Sequence, residues 1–400
     1  MTQTVIVSAA RTAIGSFQGT LAPVRAVELG ATVIRAVIER AGLSPELVED
    51  VVMGQVLAAG QGQNTARQAA VAAGVPYSTP ALTVNKVCGS GLQAVVLAAQ
   101  SIRTGDARIV VAGGMESMSQ AAYVLPGLRT GLRLGHGTVL DTMVQDGLWD
   151  AFNDYHMGST AENLARRHGI SREEQDAFAV ESHRRALAAI DAGYFEREIV
   201  PVSVAARKGA ATLFGRDEQP RVDTSLAGLS KLRPAFDASG SVTAGNSSTL
   251  NDGAAAVLVM DEAEAKTRGL PILARIVAWG TAGVDPAFMG EGPVPATRRC
   301  LERAGWKLED VDLIEANEAF AVQSLAVRRL LGLNPDRVNV NGGAVALGHP
   351  IGASGCRVLV TLLHEMQRRA VRRGLATLCI GGGQGIALAV ERTESAISPP

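Results

Sequence analysis

At 400 residues, 47% hydrophobic and 19% charged, the chain has more apolar content than one ordinary core takes up, and it reads as two or more packed units of a soluble globular protein. A formal net charge of -1, with no long block of like charge, argues against a nucleic-acid or membrane-surface protein, so any anionic ligand must be met by local groups. No apolar run reaches a bilayer span, and no basic segment precedes an apolar signal core. Cys88, Cys300, Cys356 and Cys379 are too widely spaced for a disulfide framework; a reducing compartment, the cytoplasm, is the expectation.

TVIVSAA (residues 4–10) predicts a first strand, AVELGATVIRAVIERAG (26–42) an amphipathic helix and EDVVMGQV (49–56) a second strand. NKVCGSGLQAV (85–95) then sets Cys88 between a polar strand end and a Gly-Ser-Gly step that opens an apolar helix. A lone cysteine is most often a small buried hydrophobe. At a strand-to-helix junction, however, free backbone N–H groups and the helix dipole favour the thiolate, and glycines let such N–H groups approach an oxyanion. ARIVVAGG (107–114) is a further strand. The segment from 119 to 249 is rich in Arg, Gly and His, helical at EEQDAFAVESHRRALAAI (173–190) and loop-like at ATLFGRDEQPRVDTSLAGL (211–229). It reads as an inserted substrate-handling unit.

Strands return at AAAVLVM (254–260) and VDLIEAN (311–317). In NEAFA (317–321) an Asn and an acid close a strand and open a helix, which helix capping alone would explain. NVNGGAVALGHPIGASG (339–355) holds His349 between Gly348 and Pro350 in a glycine-rich loop that fixes an imidazole, the base a thiol nucleophile requires. His136, His168, His183 and His364 have polar or helical surroundings and carry no assignment. CIGGGQG (379–385) ends one strand, and GIALAV (385–390) is the last.

The two ends of the chain are alike. VIERAGLSPELVEDVVMG (37–54) matches CLERAGWKLEDVDLIEAN (300–317) at an offset of 263 residues, CGSG parallels GASG, and DARIVVAGG parallels LATLCIGGG. Two copies of one layered α/β unit are the simplest account. No CxxC or HxxxH spacing supports a metal site; no Walker or dinucleotide glycine motif and no GxSxG elbow is present.

In order along the chain, NKVCGSGL, NEAF, GHPIGASG and CIGGGQG resemble the thiolases. The likeness extends over nearly the full chain through VIVSAARTAIGSF, GQNTARQAA, GGMESMS, YHMGSTAEN, RKG, KLRPAF and TAGNSSTLNDGAAA. The resemblance implies the thiolase fold: two similar α/β halves in a five-layer αβαβα sandwich, with an inserted loop domain. The expected division is residues 1–118 with 250–270 for the N-terminal half, 119–249 for the insert and 271–400 for the C-terminal half.

It also implies residue roles. Cys88 is the nucleophile that carries the acyl group, His349 its base, and Cys379 the acid/base at the α-carbon. Asn317, through a water, and His349 hold the enolate oxygen; the backbone N–H groups of Cys88 and Gly381 hold the oxygen of the tetrahedral acyl intermediate. Ser248 contacts the pantetheine arm. His156, Met157, Arg221, Met289 and Phe320 line the coenzyme A and acyl channel, with Arg221 toward the nucleotide end. YHMG with Phe236 resembles the short-chain class, so the expected activity is acetyl-CoA C-acetyltransferase, joining two acetyl-CoA to acetoacetyl-CoA and coenzyme A. A broad-range 3-ketoacyl-CoA thiolase is the alternative. Trp149 departs from the family pattern, and it either lies at the surface or narrows the channel.

Cys379 argues against a decarboxylating ketosynthase, and the intact set Cys88, Asn317, His349 and Cys379 argues against a non-catalytic acyl-CoA binder. Coenzyme A thioesters are substrates, no metal or redox cofactor is implied, and neither nucleic acid nor membrane is an expected partner. A homotetramer is the expected assembly.

Overall fold

The computed structural model describes residues 3–205 and 210–393; the RKG motif at 207–209 lies outside the described residues. Strands β1 (Thr4–Thr12), β2 (Asp50–Gly54), β3 (Ala81–Val84), β4 (Ile109–Ser117) and β5 (Asn251–Asp261) lie in the order β3-β2-β4-β5-β1. Strands β6 (Ala274–Gly283), β7 (Leu313–Ala316), β8 (Arg373–Ile380) and β9 (Gln384–Glu391) lie in the order β7-β8-β9-β6. A parallel bridge from Ile314 to Val338 fills, beyond β7, the place that β3 holds in the first half. In both halves the last strand runs antiparallel to its two neighbours. The halves join where Val5 and Ile6 of β1 pair with Arg275 and Ala274 of β6.

Helices α1 (Ala26–Arg40) and α2 (Thr65–Ala72) cover the outer face of the first sheet, and α3 (Ser90–Thr104) packs on its inner face. The segment between β4 and β5 supplies α4 (Met157–His168) and α5 (Arg172–Asp191); α6 (Pro293–Ala304) and α7 (Ala321–Leu331) lie outside the second sheet, and α8 (Ile351–Arg369) returns to the middle layer beside α3. The alternation of side chains makes both faces of each sheet apolar. On β5, Ala254, Ala256, Leu258 and Met260 face the outer core while Ala255, Val257 and Val259 face the middle layer. This is why the strand reads as a continuous apolar run.

The middle layer depends on glycine. A Cβ on Gly91 of α3 would meet the backbone N of Cys356 at 2.7 Å, and one on Gly355 of α8 would meet that of Leu92 at 2.4 Å. Gly91, read from sequence as letting backbone approach an oxyanion, thus also lets α3 meet α8, where Gly355 receives it.

The sequence reading assigns no strand to ARIVAWGTAG, yet β6 is there. Only Ala274, Ile276, Ala278 and Gly280 are buried along it, with Arg275 and Trp279 half-exposed between them, an alternation weaker than the runs of the doubly covered strands. The insert is fastened to β1 by the fully buried Arg11, whose Nη1 and Nη2 donate to Asp217 at 2.7 and 2.8 Å and whose Nε donates to Glu198. Among the described residues, no helix is long and apolar enough to cross a membrane.

Candidate active site

Cys88 stands on a tight turn between β3 and α3. Val87 before it has φ +47°, a strained conformation for a β-branched residue. Ser90 holds the turn: its Oγ accepts from the Lys86 N–H at 2.8 Å and donates to the Val87 carbonyl at 2.6 Å. The N–H groups of Gly381 and of Cys88 itself are both directed at the Cys88 sulfur. Those contacts lower the thiol pKa, but burial outweighs them and, with the Glu116 charge, pushes it up to about 11. Desolvation thus works against the backbone donors and the helix end, which favour the thiolate.

His349 is 5% exposed. Its backbone N–H donates to Asn251 Oδ1 at 2.8 Å, and its Nδ1 lies 2.6 Å from Ser354 Oγ. Ser354 donates its own hydroxyl proton to the Pro350 carbonyl at 2.9 Å, so it accepts from His349, and this assigns the proton to Nδ1. Nε2 is left with its lone pair, 3.4 Å from Asn317 Nδ2. Burial first, then the Arg357 charge, push this imidazole down to about 3, so it is a neutral base.

Cys379 closes β8 with no exposed surface. Burial, then the neighbouring Cys88, raise its pKa well above the ordinary thiol range. The shift favours the protonated thiol. Gly381 follows it with space at its α-carbon limited by Val87 and Met157.

These groups open on one cavity of about 610 Å³, lined by Cys88, His349, Cys379 and Gly381 and also by His156, Met157, Arg221, Phe236, Ser248, Met289 and Phe320. Every residue proposed from sequence is on that wall except Asn317, which reaches the site through its contact with His349. Asn317 Oδ1 is buried with no hydrogen-bond partner among the described residues. One end of the cavity is aromatic. The His156 ring stacks on Phe236 at 4.8 Å and 17°, Phe236 meets Phe320 edge-on at 6.4 Å, and His156 Nδ1 accepts the Gly158 N–H at 3.0 Å. A further hollow of about 300 Å³ shares Gln219, Arg221, Ala244 and Thr249 with the first. Trp149 lines neither; its indole N–H donates to Asp154.

Several residues on this wall have no counterpart in the sequence reading. Met118, Met143 and Leu148 line the cavity from irregular backbone, the last two on a single π-helical turn, Met143–Leu148. Asn251 and Ser354 hold His349 from behind. Buried Glu116 accepts from the N–H groups of Val56, Leu57 and Gly352 at 2.9–3.1 Å, tying the His349 loop to the first half. Ser354 was open to detection, since a hydroxyl five residues past His349 and inside the first helical turn is within reach of it.

The comparisons agree with this architecture. Residues 4–263 match the family model "Thiolase, N-terminal domain" and residues 270–392 match "Thiolase, C-terminal domain". The chain belongs to the thiolase family. Among relatives, it is 65% identical to the acetyl-CoA acetyltransferase of Pseudomonas aeruginosa and 61% identical to that of Cupriavidus necator, in each case over 98% of this chain and 100% of the relative. The crystal structure of the Bacillus anthracis acetyl-CoA acetyltransferase superposes with a TM-score of 0.96 at 47% identity, covering 98% of this chain and 99% of the other.

Proposed function

We propose that this chain is an acetyl-CoA C-acetyltransferase that interconverts two acetyl-CoA with acetoacetyl-CoA and coenzyme A through an acetyl-Cys88 intermediate. The observation that carries the reading is the convergence of two thiols and one neutral imidazole on a single cavity. The names of the relatives support it.

In the cleavage direction, His349 Nε2 takes the Cys88 proton as the sulfur attacks the 3-keto carbonyl. The tetrahedral oxygen is held by the N–H groups of Cys88 and Gly381, which already point at the sulfur. Collapse breaks the C2–C3 bond and leaves acetyl-Cys88 and the enolate of acetyl-CoA. His349, now protonated at Nε2, and Asn317 stabilise the enolate oxygen, and the Cys379 thiol protonates its carbon. The coenzyme A thiol, losing its proton to the Cys379 thiolate, then takes the acetyl group from Cys88, whose leaving sulfur regains the proton held by His349. Condensation is the reverse. Thioester acidity and the two oxygen sites supply the chemistry, so the reading needs no metal or redox cofactor.

The arm of coenzyme A would run past Ser248 into the second hollow, with its phosphates toward Arg221. The His156, Phe236 and Phe320 wall, with Met157 and Met289, supports a short acyl group. Exposed apolar side chains in the insert, including Tyr123, Leu128 and Leu134, with Leu82 on the edge strand β3 and Tyr77 just before it, support burial against other copies and the homotetramer. Four unpaired cysteines support a cytoplasmic location.

The test compares coenzyme A-dependent cleavage of acetoacetyl-CoA with that of a long-chain 3-ketoacyl-CoA, in wild type and Cys88→Ala. Cleavage of the short substrate alone, abolished in Cys88→Ala, is expected. Comparable cleavage of the long substrate would move the chain to the broad-range class, and cleavage of neither would end the reading.

A further inference from the structure

Behind the imidazole lies a buried ion pair that the mechanism above leaves unused. Arg357, on α8 nearly one turn beyond Ser354, places Nη1 3.7 Å from Oε2 of Glu315, on β7 two residues before Asn317. Both residues are 2% exposed. Among the described residues, none offers a hydrogen-bond partner to the three guanidinium nitrogens of Arg357 or to Oε2 of Glu315.

Such a pair is poor as a structural fastening. Without the parallel hydrogen bonds that an Arg–carboxylate fork normally makes, its attraction does not offset the desolvation of the two groups: burial pushes the Glu315 carboxyl up to about 8 despite the Arg357 charge, and apolar side chains of similar size would join α8 to β7 at least as well. Its placement is specific, however. The spacing of Ser354 and Arg357 sets both on one face of α8, and that of Glu315 and Asn317 sets both on one face of the β7 path. The ion pair therefore spans the same two elements as the contacts Ser354–His349–Asn317, one layer deeper.

We propose that Arg357 and Glu315 are positioning residues for His349: the pair fixes the spacing of α8 and β7 and thereby the direction of Nε2 relative to the Cys88 sulfur. The inference rests on the base role of His349 in the proposed function. Among the described residues, Arg357 is the charged group whose field bears on the imidazole. The other charges facing the pair are Glu198, Glu318, Arg11 and Glu365; Glu198 is itself held by Arg11 and by the Thr361 hydroxyl at 3.1 Å.

The experiment is a charge-free replacement, Glu315→Met with Arg357→Met, which leaves neither partner buried alone. The double variant should melt close to wild type and keep KM within about twofold while kcat falls by about tenfold or more. Alkylation of Cys88 by iodoacetamide at pH 8 should slow by a similar factor, and its pH profile should shift. A folded double variant with wild-type kcat and alkylation would overturn the proposal. Arg357→Lys, which keeps the charge but not the planar fork, decides the matter if the double variant does not fold: reduced kcat at unchanged KM is expected, and wild-type kcat overturns the proposal. Alkylation needs no substrate, so a wild type that leaves acetoacetyl-CoA uncleaved would sink the function without sinking the positioning.

Discussion

Burial acts in opposite senses on Cys88 and His349, pushing the thiol up to about 11 and the imidazole down to about 3. Between those values the resting pair is neutral, and under the proposed chemistry the thiolate forms only as His349 takes its proton during attack. Alkylation of Cys88 in the free wild-type protein should therefore keep rising with pH past the ordinary cysteine value of about 8.5 and level off only toward 11. A plateau below pH 8 would mean a standing thiolate and contradict this account. At this scale the sequence was a good guide where chemistry is written locally: Cys88, His349 and Cys379 each sit in a short glycine-flanked stretch. Asn251, Glu116 and Arg357 were not legible as site residues, because they reach the site only through contacts between elements distant in the chain.

The two helices of the middle layer approach more closely than side chains allow. In Gly355→Ala the new methyl would meet the rigid backbone of Leu92 at 2.4 Å, so overpacking should outweigh the gain in helix propensity, about 1 kcal/mol. A net destabilisation of about 1–3 kcal/mol, read by urea unfolding, is expected; a more stable variant would show that α3 and α8 can separate freely. Elements covered on both faces were plain in the sequence because long apolar runs of Val, Ile, Leu and Ala leave little ambiguity. The strand β6 was not, because its apolar residues alternate with Arg275 and Trp279, and β3 has only four residues. The cavity wall from Met143 to Leu148 follows no helix or strand period, so nothing in its sequence marked it.

Over the whole molecule, the insert and the first half are held together at Arg11, where one guanidinium meets Asp217 and Glu198 and lies over the Phe195 ring at 5.0 Å. Removing it leaves two buried carboxylates unpaired. Arg11→Met should cost about 3–5 kcal/mol in urea unfolding and loosen the cavity wall that the insert supplies; a variant as stable as wild type would show that the insert is held elsewhere. The internal repeat was visible from sequence, since the order of helix, turn and strand survives in both copies, but the pairing of β1 with β6 was not. That join gives the duplication a meaning beyond architecture. Cys88 comes from the first copy and Asn317, His349 and Cys379 from the second, so under the proposed chemistry the copies are no longer duplicates in function. One retains the group that bears the cargo and the other the groups that manage protons, and neither can drift in sequence without the other following.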